Sequence, residues 1–271
     1  MNKKMFVFDL DGTLLNKKSE ISSKNLEALK KAKQKGNILV AATGRNYLYA
    51  QLAIGEHWDL FNYYLGCNSG IIHNIPERIY SSNKNKIDFD FLQIIDEEVR
   101  EERGTVQVST MWNVFIGFYI EDKTSPIIKW HLKEKFFDPY PSIDEMQEKD
   151  KESIILISVH LDENKVRYYQ QRWSEKYGDK FEFAITSRFN IDINPKGVNK
   201  LAGIKTIVEK ENIEYDNVFV FGDTQNDIKG LEYYNNTYAM DNALPEVKNA
   251  AKYIIGDNDT NDIAKIVLKN I

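Results

Sequence analysis

Cysteine is almost absent from this sequence, which limits how the protein can be held together. The 271 residues include a single cysteine, Cys67, so no disulfide can form within the chain. A lone thiol favours a reducing compartment, and we expect Cys67 to be a small buried residue. A chain of this length buries enough apolar surface to fold without disulfides or a structural metal.

Long apolar runs and an excess of positive charge are missing as well. No run of about 18 apolar residues occurs, so we expect no transmembrane helix, and Asp9 and Asp11 interrupt the signal-peptide-like start. Lys and Arg number 36 against 41 Asp and Glu, for a net charge of −5. Because a nucleic-acid binder needs a basic face, we expect no nucleic-acid partner. Without a membrane helix or a signal peptide, we expect a cytoplasmic protein with no membrane partner.

The chain does contain apolar patterning, of a kind that predicts an α/β domain near both ends. Continuous apolar runs at 6–8, 38–42 and 218–221 are typical of parallel strands buried on both faces. Helical patterns alternate with these runs, and this alternation predicts a doubly wound parallel sheet. Further elements predicted here are strands at 63–65 and 238–240, a helix between Ser22 and Gly36, and helices at 47–54, 198–211, 228–233, 246–251 and 261–268.

The middle of the chain follows a different pattern. Beyond a polar linker at 81–86, two runs between 106 and 120 alternate apolar and polar residues, as in a sheet with one exposed face. We therefore predict an α/β domain at 1–81 and 188–271, interrupted by an inserted α+β domain at 82–187. Further elements predicted in the insert are helices at 89–103, 127–136 and 164–177 and strands at 154–159 and 181–185, with candidate hinges at 81–86 and 186–190.

Two pairs of acids follow buried strands of the predicted sheet. Asp9 and Asp11 follow the first strand, and Asp223 and Asp227 follow the strand at 218–221. Ligands of open α/β sheets bind at the carboxyl ends of the strands, and neighbouring carboxylates repel each other unless a cation joins them. An acidic turn explains either pair alone, whereas both pairs together make an oxygen-rich pocket suited to Mg²⁺.

A phosphoryl ligand at such a pocket also needs hydroxyl, N–H and cationic groups. Thr43 and Gly44 end the second strand and offer a hydroxyl and backbone N–H groups to phosphoryl oxygens. Taken alone, these two residues are explained better by a helix cap. Lys196 and Lys200 are the candidate cations, and the residues by themselves do not choose between them.

The order of these motifs resembles that of the haloacid dehalogenase (HAD) superfamily of phosphohydrolases. The third motif of that family selects Lys200 over Lys196. Each match is weak alone, whereas the set in this order is specific. The four matches are residues 9–13 (DLDGT), Thr43 within ATGR, residues 197–200 (GVNK) and residues 222–227 (GDTQND).

The whole chain is similar to the Cof-type branch of that superfamily, whose members are Mg²⁺-dependent phosphatases with a large cap. The resemblance implies a doubly wound, Rossmann-like HAD core with an inserted α+β cap. Between Asp11 and Thr43 there is room for one helix and one strand, whereas the stretch from Thr43 to Lys200 far exceeds a βα unit, so the cap belongs there. Residues 239–243 (AMDNA) resemble another signature of the branch, and residues 68–70 (NSG) replace its usual Asn-Gly-Ala.

The resemblance also implies a role for each motif residue. Asp9 would attack phosphorus to form an aspartyl-phosphate, and Asp11 would protonate the leaving oxygen and then activate water. The groups implied for the phosphoryl oxygens are Thr43, Gly44, Lys200 and Asn226, and those for Mg²⁺ are Asp9, the backbone carbonyl of Asp11, Asp223 and Asp227.

The main prediction is a phosphatase that acts on a small phosphorylated metabolite, such as a sugar phosphate. A phosphomutase is an alternative, because it shares the nucleophile and would pass the phosphoryl group to a second hydroxyl. A catalytically silent phosphometabolite-binding module is another, although the intact motif set argues against it. Trp112 and Asn113, at a predicted hairpin tip, are candidates for contacts with the leaving group.

Overall fold

The structure, a computed structural model, describes residues 3–111, 113–122, 124–128 and 141–271. The chain forms two compact units: Met1–Ser82 with Asn199–Ile271, and the inserted Asn83–Val198. The second boundary falls at Asn199 and not at 188, because the strand Asn190–Pro195 pairs within the sheet of the inserted unit.

The first unit is built on one eight-stranded sheet, in the order β13-β12-β11-β1-β2-β3-β4-β5. Pairing is parallel from β13 to β3 and antiparallel for β4 and β5. The predicted doubly wound parallel sheet is therefore confirmed, with an antiparallel extension that was not predicted. Numbered along the chain, its strands are β1 (Met5–Phe8), β2 (Ile38–Ala42), β3 (Tyr63–Gly66), β4 (Ile71–Asn74), β5 (Ile79–Ser82), β11 (Val218–Gly222), β12 (Asn236–Met240) and β13 (Tyr253–Ile255).

Both faces of this sheet are covered, which explains why its central strands are apolar throughout. Successive side chains of a strand point to opposite faces, so Phe6 and Phe8 pack into one core and Met5 and Val7 into the other. Helices that pack into the first core are α1 (Ser23–Gln34), α2 (Tyr47–Ile54) and α9 (Asp262–Lys269); those in the second are α6 (Lys200–Glu211), α7 (Ile228–Tyr233) and α8 (Pro245–Ala250).

The inserted unit contains a five-stranded antiparallel sheet, in the order β7-β6-β8-β10-β9. Ile191 and Ile193 of one strand join an apolar core, whereas Asp192 points to the opposite face and accepts a hydrogen bond of 2.7 Å from Ser158 Oγ. The elements are β6 (Thr105–Thr110), β7 (Val114–Phe118), β8 (Ile154–His160), β9 (Phe181–Ser187) and β10 (Asn190–Pro195), with α3 (Phe89–Glu101), α4 (Glu148–Lys151) and α5 (Glu163–Tyr177).

One prediction for the inserted unit is wrong. The segment 186–190 is not a hinge, because Asn190 pairs with Ser187 and the segment connects two strands of the same sheet. The predicted helix at 127–136 lies largely outside the described residues. Within the parts of the chain that the structure describes, no helix has the length and apolar character needed to cross a membrane.

Helix α6 packs closely against the turn that contains Ser69, and Gly203 lies at the point of contact. A Cβ at Gly203 would lie 2.6 Å from Ser69 Cβ, far inside ordinary contact distance. We expect Gly203→Ala to lower the free energy of unfolding by about 1–3 kcal/mol through overpacking, although alanine is the better helix former.

Gly230→Ala is the matched control for this change, because a Cβ there would lie 3.6 Å from Ile204 and Val220. We expect this control to be as stable as the original chain, or more stable by up to about 1 kcal/mol. Denaturant unfolding of both variants measures the difference. Equal stability of the two variants would contradict the close approach of α6.

Candidate active site

The predicted site residues lie at one edge of the eight-stranded sheet. Asp9 follows β1, Thr43 follows β2 and Asp223 follows β11, and these strands are parallel neighbours. Parallel strands end at the same edge, so residues that are far apart in the chain meet there. Lys200 reaches the same edge because it is the first residue of α6.

The turn after β1 depends on Gly12. Its φ of +77° lies in the left-handed region, and a Cβ at this position would lie 2.9 Å from the carboxyl carbon of Asp223. Glycine therefore allows the turn to approach that carboxylate closely. Thr13 Oγ1, the next side chain, donates a hydrogen bond of 2.8 Å to Asp223 Oδ1 and so fixes one carboxylate oxygen.

One buried lysine holds two of the acids together. Lys200 Nζ lies 2.6 Å from Asp9 Oδ1 and 2.7 Å from Asp227 Oδ1, and the lysine side chain is only 2% exposed. Asp227 Oδ2 also accepts hydrogen bonds from the backbone N–H groups of Asp223 and Thr224, at 3.1 and 3.2 Å. Both oxygens of Asp227 are therefore held in place.

With all its acids ionised, the cluster would carry more negative than positive charge. Asp9, Asp223 and Asp227 are buried, with carboxylate oxygens within 4.8 Å of one another. Burial, opposed by Lys200 and reinforced by Asp227, raises the pKa of Asp9 to about 7, and burial beside Asp9 raises the pKa of Asp223. Although burial disfavours the charge of Lys200, the two acids that it contacts raise its pKa.

This excess of charge fits a metal ion. Carboxylates that repel one another in a buried site are stabilised when a divalent cation lies between them. Carboxylate oxygens are the donors that Mg²⁺ and Ca²⁺ prefer in proteins. The three acids therefore have the chemistry, the burial and the proximity of a metal site.

Arg45, which the sequence analysis missed as a site residue, forms a bidentate pair with Asp11. Its Nε and Nη2 each donate a hydrogen bond of 2.7 Å to the Asp11 carboxylate. The Asp11 side chain is 51% exposed, unlike that of Asp9. Although the surrounding protein disfavours its charge, Arg45 holds the pKa of Asp11 below its usual range. The position of Arg45 within the ATGR run was the signal that could have revealed it.

The remaining predicted ligands lie on neighbouring elements, since Thr43 and Gly44 follow β2 and Asn226 directly precedes Asp227. Thr43 is buried, and its Oγ1 accepts a hydrogen bond of 3.1 Å from the backbone N–H two residues later; Gly44 lies between them. Asn226 Nδ2 donates to Asn68 Oδ1 at 2.9 Å, and Asn226 Oδ1 accepts from Thr224 Oγ1 at 2.8 Å. Asn68 was not predicted as a site residue.

The structure also separates candidates that the residues alone left open. Lys196 is exposed and donates to the Gly178 carbonyl within the inserted unit, whereas Lys200 lies among the acids. Asn113 donates to Asp150 Oδ1 at 2.8 Å. Trp112 lies outside the described residues.

A second network supports the turn after β1. Asn242 Nδ2 donates to the Gly12 carbonyl at 2.8 Å and lies 3.4 Å from Asp223 Oδ2. The backbone N–H of Asn258 donates to Asn242 Oδ1 at 3.1 Å, and its side chain donates to the Leu15 carbonyl at 2.8 Å. The AMDNA run thus supplies an amide that joins the turn to Asp223.

Comparisons with known proteins agree with this fold and identify the family. The chain matches the family model of the haloacid dehalogenase-like hydrolases over residues 6–267. It is 27% identical over 269 residues to a 5-amino-6-(5-phospho-D-ribitylamino)uracil phosphatase of Bacillus subtilis, covering 97% of this chain and 94% of the relative. It is also 25% identical over 285 residues to a pyridoxal phosphate phosphatase of Escherichia coli, covering 100% of both.

A solved structure extends the likeness to three dimensions. The structure of a HAD subclass IIB sugar phosphatase superimposes with a TM-score of 0.78 at 22% identity, covering 97% of each chain. The family match spans nearly the whole sequence and includes the inserted unit as well as the motifs. The chain therefore belongs to the haloacid dehalogenase-like hydrolases, in the Cof-like branch of their phosphatases.

Proposed function

We propose that this protein is an Mg²⁺-dependent phosphatase that hydrolyses small phosphorylated metabolites through an aspartyl-phosphate at Asp9. The observation that carries the proposal is the buried cluster of Asp9, Asp223 and Asp227, whose oxygens lie within 4.8 Å of one another and two of which contact Lys200. Without a metal, the carboxylates of this cluster are poorly solvated and repel one another, and burial raises the pKa of Asp9 and of Asp223 for that reason.

Asp9, Asp223 and Asp227, with the backbone carbonyl of Asp11, would hold the metal. When bound, Mg²⁺ would neutralise charge on the carboxylates and on the phosphoryl oxygens. Lys200 supplies a further positive charge at a position that its two ion pairs define. The other groups assigned to the phosphoryl oxygens are Thr43, Gly44 and Asn226.

In the first half of the reaction, an oxygen of Asp9 attacks phosphorus as the bond to the leaving oxygen breaks. Asp11 donates its proton to that oxygen, so the product leaves as an alcohol. In the second half, Asp11 takes a proton from water, and the water oxygen displaces Asp9 and releases inorganic phosphate. The pair with Arg45 favours the carboxylate form of Asp11, so this pair must loosen when Asp11 acts as an acid.

The substrates named for the relatives support a class of substrate for this protein. The relatives named above act on 5-amino-6-(5-phospho-D-ribitylamino)uracil, on pyridoxal phosphate and, for the solved structure, on a sugar phosphate. These names support a small phosphate monoester as substrate. We assign the choice among such esters to the inserted unit. Phosphate release from a panel of these compounds, with para-nitrophenyl phosphate as a general substrate, tests the proposal.

Asp9→Asn tests the nucleophile. An amide does not form the acyl-phosphate, so we expect phosphate release to fall by at least about 10³-fold while the fold is kept. Asp59→Asn is the matched control, because Asp59 is exposed and precedes β3, at the opposite edge of the sheet. Release assays and circular dichroism on both variants give the comparison; near-normal turnover by Asp9→Asn would rule out the assignment.

Chelation tests the metal. We expect EDTA to abolish activity and excess Mg²⁺ to restore it, because the buried acids need a counter-charge. Mg²⁺ should also raise the Tm by a few degrees, since a ligand that binds the folded state stabilises it, by about 2.7 kcal/mol at 100 times its Kd. The rise should shrink in Asp223→Asn. Activity that is indifferent to EDTA would contradict the metal site.

Lys200→Met tests the buried ion pairs. Removing the ammonium leaves Asp9 and Asp227 buried without their cation, so we expect a loss of about 3–5 kcal/mol in the free energy of unfolding and a loss of activity. Lys196→Met is the matched control, because Lys196 is exposed, and it should change stability by no more than about 0.5 kcal/mol. Urea titrations decide the matter, and equal stability of the two variants would refute the role of Lys200.

A further inference from the structure

We propose that Asn68 is a positioning residue of the phosphate site, acting through the amide of Asn226 and through the backbone that carries Thr43. The inference rests on the proposed function, because it takes Asn226 and Thr43 as groups that contact the phosphoryl oxygens. It concerns the turn Cys67–Ser69, which follows β3 and has its own unusual geometry.

This turn consists of three successive residues in the left-handed region, none of them glycine. Their φ values are +50° at Cys67, +56° at Asn68 and +77° at Ser69. L-residues adopt this region at a cost, and such strain persists only where the surrounding structure holds it and is frequent at functional sites. Asparagine tolerates the conformation better than most residues, which suits it to the middle of the turn.

The backbone of the turn holds the segment that follows β2. The N–H of Cys67 donates to the Arg45 carbonyl at 3.0 Å, and the N–H of Asn68 donates to the Thr43 carbonyl at 3.0 Å. These two hydrogen bonds hold both ends of the segment 43–45, which contains the predicted phosphate ligands Thr43 and Gly44. The turn therefore fixes where this segment lies after the strand has ended.

The side chain of the turn fixes a second phosphate ligand. Asn68 Oδ1 accepts from Asn226 Nδ2 at 2.9 Å, while Thr224 Oγ1 donates to the other end of the same amide at 2.8 Å. Together these bonds determine which end of the Asn226 amide is nitrogen and the plane in which the amide lies. The amide nitrogen carries a second hydrogen, whose direction is then set as well, and in the proposed function this hydrogen is the donor to a phosphoryl oxygen.

The third contact of the turn is with the helix that carries the cation. Ser69 packs so closely against Gly203 of α6 that a Cβ there would overlap it, and α6 begins at Lys200. One strained turn thus contacts the segment of Thr43, the side chain of Asn226 and the helix of Lys200. It is placed to keep three phosphate-binding elements in register.

Asn68→Gly separates the side chain from the backbone. Glycine adopts the left-handed region readily, so this variant keeps the turn and removes the side-chain bond to Asn226. Asn212→Gly is the matched control, because Asn212 is also left-handed, with φ +51°, and is exposed at the end of α6. The Asn226→Ala variant and the double variant of Asn68 and Asn226 complete a cycle.

The readouts are kcat and KM for para-nitrophenyl phosphate with Mg²⁺, the inhibition constant of inorganic phosphate, and the Tm. We expect Asn68→Gly to raise KM and the inhibition constant of phosphate by about tenfold, the effect of one ordinary hydrogen bond. Its Tm should match that of Asn212→Gly. In the Asn226→Ala background, the same substitution should change either constant by less than about twofold.

Two results would overturn the inference while leaving the phosphatase in place. One is an Asn68→Gly variant with the KM and phosphate inhibition of the control, and the other is an effect of equal size with and without Asn226. A wild-type protein that neither releases phosphate nor is stabilised by it overturns the inference together with the proposed function. Phosphate release by the wild-type protein therefore distinguishes a failure of this inference from a failure of the proposed function.

Discussion

The structure depends on one electrostatic constraint, which is the gathering of three buried carboxylates around a single buried ammonium. Carboxylates in such a place repel each other and are poorly solvated. Lys200 and the surrounding hydrogen bonds stabilise them, and a metal ion held between them would stabilise them further. The features around them serve this need. Gly12 lets one turn come close, Thr13 fixes an oxygen of Asp223, and α6 begins where its first side chain meets two acids.

The stability that offsets this cost comes from elsewhere in the same unit. Both faces of the eight-stranded sheet are covered by helices, and the side chains of β1 pack alternately into two separate cores. Apolar burial on both faces stabilises the pairing of the central strands. Because these strands are parallel, their carboxyl ends stay together. The polar site lies just beyond the carboxyl ends of β1, β2 and β11.

The part of the site that could be predicted from the sequence follows from strand order. Continuous apolar runs identify β1, β2 and β11, and parallel pairing brings Asp9, Thr43 and Asp223 to one edge. The choice of Lys200 over Lys196 needed the family motif, because the residues alone do not show which lysine begins a helix at that edge. The pair of Arg45 with Asp11 was missed because ion pairs between distant residues leave no periodic pattern.

Other features escaped prediction for reasons of backbone geometry. Strand β10 alternates polar residues with Ile191 and Ile193, as strands do, but asparagine, aspartate and proline are uncommon in strands, and it was not predicted. Its pairing became visible only beside β8 and β9. The turn Cys67–Ser69 contains no glycine, so nothing in its composition announces a left-handed conformation. Its asparagine is compatible with many kinds of turn, and only the contacts to Thr43 and Asn226 distinguish this one.

The insertion of one unit into the other has a consequence for how the protein is synthesised. The residues that form the site are far apart in the chain: Asp9 and Lys200 are separated by 191 positions, and Thr13 and Asp223 by 210. As the chain emerges from the ribosome, the inserted unit is complete before β11 exists to pair with β1. Contacts of such long range form slowly and late in folding. The nascent chain therefore carries Asp9, the proposed nucleophile, for most of translation without the residues that surround it in the folded site.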